Sequence, residues 1–125
     1  MKKLVAIGWA VFTLGATGLV HAHDAKPAQY GGAVQTASDL QFELVNKDGK
    51  PALYVDDHDT KKSVGGAKGK LTVLSGTTKT ETALTPGSGN VLVANDPVPL
   101  PPGAKAVATV TFADGKTVTV RFAIK

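Results

Sequence analysis

Side chains able to bind a metal or move a proton gather at two points of this sequence. The first is Val55-Asp56-Asp57-His58-Asp59, where three carboxylates surround one imidazole. Imidazole and carboxylate together suit borderline divalent ions such as Cu(II), Zn(II) or Ni(II). The same residues also read as a solvated turn, because Asp is a turn former and Lys61 and Lys62 follow at once to balance the charge. The second point is His21-Ala22-His23-Asp24, where an apolar stretch gives way to a polar chain.

What precedes that junction sets its meaning. Met1-Lys2-Lys3 is a positive start, Leu4 to Val20 is uncharged and mostly apolar but broken by Gly8, Gly15 and Gly18, and Val20-His21-Ala22 offers a small-residue cleavage site. This pattern predicts a secretory signal peptide over residues 1–22, cut after Ala22. The run is shorter and more glycine-broken than a retained membrane span of about 20 apolar residues requires. Cleavage makes His23 the first residue, and its α-amino group and ring Nδ1 then form a chelating pair. An α-amino group has a pKa of about 7.7 to 8.0, so it loses its proton to a metal at little cost near neutral pH. Nitrogen-rich tetragonal ligation of this kind favours Cu(II). A disordered tail is the competing reading for the same residues. Taken together, His23 with His58 and Asp56, Asp57 or Asp59 constitutes a candidate site for a mononuclear Cu(II) or Zn(II) ion.

Positioning such residues falls to strands. Residues 23–32 contain Pro27 and Gly31-Gly32 and show no apolar period, which predicts an irregular arm. Leu40, Phe42 and Leu44 then alternate with Gln41 and Glu43, the period of a strand with one buried face. Lys47-Asp48-Gly49-Lys50 supplies a turn, and Ala52 to Val55 a partner strand. The device recurs where Val107 to Phe112 enters Ala113-Asp114-Gly115-Lys116 and Val118, Val120, Phe122 and Ile124 alternate with polar residues. Between these hairpins, Lys70 to Leu74, Thr80 to Leu84 and Val91 to Ala94 are short, rich in β-branched residues and bounded by Gly, Pro or Asn. Pro97-Val98-Pro99-Leu100-Pro101-Pro102 lacks ladder donors and reads as an extended crossover or edge segment. The expected fold is all-β, a single immunoglobulin-like antiparallel β-sandwich of about seven strands over residues 33–125, preceded by a cleaved signal helix.

Composition narrows the function classes. Loss of Lys2 and Lys3 with the leader takes the basic count from 14 to 12 against 10 acidic residues, and the remaining lysines are spread along the chain, so no nucleic-acid footprint is expected. There is no cysteine, which excludes lipoprotein acylation and a disulfide framework; about 100 residues can fold on packing alone. Ser63, Ser75 and Ser88 stand in no nucleophile context, and nothing sets the pKa of one Asp against another, so an enzyme is not expected. Gly65-Gly66-Ala67-Lys68-Gly69-Lys70 precedes a strand instead of opening a helix, which makes it a flexible turn and not a phosphate loop.

Two resemblances add to this reading. Tyr30-Gly31-Gly32, Leu40-Gln41-Phe42-Glu43-Leu44-Val45, Leu53-Tyr54-Val55-Asp56-Asp57-His58, Gly69-Lys70-Leu71-Thr72-Val73-Leu74 and Val118-Thr119-Val120-Arg121-Phe122 resemble a group of small secreted proteobacterial proteins, themselves similar to a small β-domain of heavy-metal efflux adaptor proteins. That group reads His-Gly-Gly where this chain has Tyr30-Gly31-Gly32. In overall plan, an N-terminal His23 and the Asp56-Asp57-His58 element on a β-domain also resemble CopC-type periplasmic copper-binding proteins, in which the Asp-x-His element lies later in the chain. The resemblances imply a monomeric, non-catalytic, periplasmic metal-binding module of a Gram-negative bacterium, linked to metal homeostasis or efflux, with an efflux or other envelope protein as partner. The alternative is an envelope interaction module without metal, docking through a sheet edge or the proline segment from Asp96 to Gly103.

Overall fold

The computed structural model describes residues 26–125; the leader and His23 lie outside the described residues. Among the described residues nine strands form: β1 (Ala33–Ala37), β2 (Leu40–Lys47), β3 (Lys50–Asp57), β4 (Thr60–Lys61), β5 (Lys68–Ser75), β6 (Thr78–Pro86), β7 (Val91–Ala94), β8 (Lys105–Thr111) and β9 (Thr117–Ala123). All pairings are antiparallel, and eight strands follow one path, β1-β2-β3-β7-β6-β5-β8-β9, with β4 folded back on the end of β3. The sheet curls until β1 lies beside β9, nearly closing a barrel. The all-β antiparallel architecture is the one the alternation demanded. The strand number rises from about seven to nine because β1 and the two-residue β4 lack an apolar period of their own.

Local chemistry explains the hairpins. Between β2 and β3, Asp48 and Gly49 adopt φ of 53° and 87°. Positive φ at both central residues is the turn whose twist matches the flanking strands, and Asp-Gly is a favoured pair for it. Lys47 and Lys50 consequently face each other at the start of an unbroken ladder that ends at Gln41 and Asp56. Between β8 and β9, Gly115 takes φ of 91°, and Phe112 closes the loop by donating its N–H to the Lys116 carbonyl at 2.8 Å.

The inner face carries the core. Phe42 and Leu44 of β2, Leu53 and Val55 of β3, Leu71 and Val73 of β5, Leu84 of β6, Leu92 of β7, Val110 of β8 and Val118, Val120 and Phe122 of β9 belong to one buried cluster. Burial of such side chains is worth roughly 1.5 to 3 kcal/mol each, which is how a chain without disulfides holds together. Two connections also contribute. Val64, between β4 and β5, donates its N–H to the Gly89 carbonyl at 3.1 Å and is fully buried. Val98 is buried between its flanking prolines, so the proline crossover turns a side chain into the core as well as spanning the fold.

Candidate metal-binding turn

Strand alternation assigns the residues of β3 before any contact is considered. Leu53 and Val55 point into the core, leaving Tyr54 and Asp56 on the outer face, beside Glu43 and Gln41 of β2 respectively. On an open sheet these four would meet water. Here the arm, residues 26–32, lies across them. Gln41, Glu43 and Asp56 are only 8%, 3% and 7% exposed.

The arm belongs to no ladder, yet the N–H groups of Lys26, Gln29, Tyr30 and Gly32 all find side-chain acceptors, as covered amides must. Glu43 does most of this: Oε1 accepts from the Gln29 N–H, and Oε2 from the Tyr30 and Gly32 N–H groups, each at 2.8 Å. Gln41 Oε1 accepts from the Lys26 N–H at 2.7 Å. The Tyr30 ring stacks on Tyr54 with centroids 3.8 Å apart and planes 7° apart. Gly32 is required at its position because a Cβ there would collide with the Leu44 carbonyl.

Asp56 is held within this layer. Its Oδ1 accepts from Asn90 Nδ2 at 3.2 Å, while Gln29 Nε2 lies 3.5 Å from Oδ2. Asn90 also donates from Nδ2 to the Val55 carbonyl and accepts the Val55 N–H at its own carbonyl, which fixes it against β3. Burial pushes the Asp56 carboxyl above its ordinary value of 3.8; the Asn90 hydrogen bond opposes the rise, the charge of Glu43 adds to it, and Lys61 and Lys26 oppose it.

Beyond Asp56 the chain reverses. Asp57 faces Thr60, so His58 and Asp59 form the tip of the turn, and His58 takes a left-handed φ of 60°. Such a conformation is uncommon outside glycine, and Asp and His are among the residues that tolerate it. His58 Nδ1 lies 2.7 Å from Asp57 Oδ1, with the two side chains 74% and 51% exposed. Its Nε2 has no partner among the described residues and faces solvent. Asp59 forms an ion pair with the Lys26 ammonium.

The sequence-level candidates therefore separate by role. Asp56 is a buried hydrogen-bond acceptor, Asp57 orients the imidazole, Asp59 engages the arm, and His58 presents one nitrogen outward. Among the described residues no group of three or more His, Asp or Glu is gathered to hold a metal ion. His23 lies outside them. Gln41, Glu43, Gln29 and Asn90 complete this layer, and no metal-binding or catalytic pattern in the sequence marks them. A signal was present: Gln41 and Glu43 face Asp56 and Tyr54 across a hairpin, a polar face next to an arm with backbone donors to satisfy. Comparison with known proteins finds no matching family model, no matching curated protein and no matching solved structure.

Proposed function

We propose that this chain is a non-catalytic metal-binding module of the periplasm that takes Cu(II), or another divalent heavy metal such as Zn(II), in the service of metal homeostasis or efflux. The observation that carries the reading is the Lys26–Asp59 ion pair. It anchors the arm at the His58 turn, and His23 is three residues upstream of Lys26. Three residues of extended chain span at most about 11 Å, so covalent geometry allows the His23 amine and imidazole to meet His58 Nε2. Asp57 supports the site from behind: a carboxylate on one ring nitrogen fixes the tautomer that leaves the other nitrogen to a metal. Asp59 stays paired with Lys26 and keeps the arm at the turn. Asp56 stays with the fold. The efflux or homeostasis role rests on the resemblance to efflux adaptor domains.

Native mass spectrometry of the secreted protein with one equivalent of Cu(II) tests this. The expected result is a chain beginning at His23 with one bound ion, and loss of that ion in His58→Ala. Retention of the ion in His58→Ala, or a mature chain beginning elsewhere, overturns the site.

One observation favours the second reading, an interaction module without metal. Where β1 approaches β9 the two strands form no ladder, and a groove of about 740 Å³ lined by Val34, Leu44, Leu100 and Ile124 opens at the seam. Unpaired strand edges over an apolar floor accept an added strand. Co-purification of an envelope protein that persists in His58→Ala and is lost when a proline replaces Gln35 is the outcome this reading expects.

A further inference from the structure

The outer face of β5, β6, β8 and β9 lies on the half of the sheet that the arm does not reach, and no segment of the described chain covers it. Its centre is apolar. Leu74 is 44% exposed and is the one exposed large hydrophobic side chain among the described residues. With Thr72 and Val107 it lines a shallow concavity of about 390 Å³. A lone exposed leucine on a soluble domain is ordinary. What surrounds this one is not.

The ladder register fixes a cationic rim. Leu74 stands directly opposite Lys79 on β6 and Lys105 on β8, and Val107 opposite Arg121 on β9. Directly opposed side chains on one face of a sheet are about 4.5 to 5.5 Å apart at Cβ, so the charges border the apolar centre on both sides. Glu81 lies 3.6 Å from both Lys79 and Lys70, and partly neutralises the β6 side. Lys105 and Arg121 have no ion pair among the described residues. The face therefore offers an apolar depression with free cations on its β8–β9 flank.

We propose that this face docks an acidic protein segment that sets an apolar side chain over Leu74 and its carboxylates on Lys105 and Arg121. The charge selects an anionic partner and the concavity selects a protein over a lipid surface. A membrane-binding face projects apolar side chains to insert among acyl chains, whereas this one receives a side chain between its cations. Arg121 adds a planar fork suited to bidentate capture of a carboxylate. The proposal is independent of the metal reading, since His58 lies at the end of β3, which is not part of this face.

The test uses the intact mature protein and a fluorescein-labelled peptide of alternating glutamate and leucine, six residues long. Amide NMR shifts map the contact, and anisotropy gives the affinity at low and moderate salt. The expected result is shift changes centred on Thr72, Leu74 and Val107, binding that weakens with salt, and at least a tenfold loss in a Lys105→Glu, Arg121→Glu double variant. Leu74→Gln, a change at an exposed position that the fold tolerates, should weaken binding without moving the core resonances. His58→Ala should leave binding unchanged. Equal binding of a lysine–leucine peptide, unchanged affinity in the double variant, or association with phosphatidylglycerol vesicles in place of the peptide overturns the proposal.

Discussion

Asp57 Oδ1 lies 2.7 Å from His58 Nδ1 at the tip of the β3–β4 turn, which leaves Nε2 as the nitrogen open to solvent. Carboxylates in this position tune a metal-binding imidazole, and their loss typically costs about 10- to 100-fold in affinity. Asp57→Asn should therefore weaken Cu(II) or Zn(II) binding by that factor in a calorimetric titration, while His58→Ala removes it. If the two variants lose affinity equally, Asp57 is itself a ligand and the division of roles at this turn is wrong.

Glu43 should matter more to the arm than any apolar contact. Three backbone donors end on its two oxygens. Glu43→Gln keeps the shape, removes the charge and sets an amide NH2 against N–H groups, for a loss of about 2 to 3 kcal/mol in urea denaturation. Amide exchange at Gln29, Tyr30 and Gly32 should accelerate selectively. Unchanged protection at these positions would show that the Tyr30–Tyr54 stack and the Lys26 contacts with Gln41 and Asp59 hold the arm without Glu43.

Stability should carry a pH signature from Asp56. Burial raises its pKa above 3.8, so the native state holds this proton more tightly than the unfolded chain does. Stability falls with rising pH wherever the native state binds more protons. The contribution is therefore present below 3.8 and is lost as pH climbs from there through the raised native value. Asp56→Asn has no proton to lose and keeps an oxygen for Asn90. Its stability relative to the parent should rise with pH across that window, and parallel curves for the two proteins would refute the assignment.

Two glycines should respond to alanine for different reasons. At Gly49 a Cβ meets nothing within 4 Å, and the only cost is its φ of 87°, about 1 kcal/mol. At Gly32 the Cβ would strike the Leu44 carbonyl and also the Val45 side chain. Gly32→Ala should cost about 2 to 3 kcal/mol and release the arm, as overpacking does. A thermal melt of each variant, read beside arm amide exchange, separates the two; equal melting temperatures would mean that the arm yields without loss.

The hairpins were legible in the sequence because their determinants are local. Asp48-Gly49 and Asp114-Gly115 specify chain reversals, and the alternation of Leu40, Phe42 and Leu44, or of Val118, Val120 and Phe122, specifies which face is buried. Strand β1 was not legible because Ala33–Ala37 has no apolar alternation of its own; it is held by the ladder with β2, its hairpin partner across the two-residue turn Ser38-Asp39, whose φ values are 52° and 64°.

The candidate turn was legible as composition, and its division of roles was not. Asp56, Asp57 and Asp59 are identical side chains within four residues, and nothing local tells them apart. Strand parity turned Asp56 toward the outer face, the arm then sealed it from water, and the reversal at His58 left Asp57 beside the imidazole and Asp59 within reach of Lys26. By itself the sequence determined where the chain turns and which strand faces are apolar, since both follow from backbone sterics and the period of the strand. Only the tertiary structure decided which polar residues leave water, because desolvation depends on what packs above a side chain, and here that cover comes from a segment 14 residues earlier whose amides needed the Glu43 carboxylate.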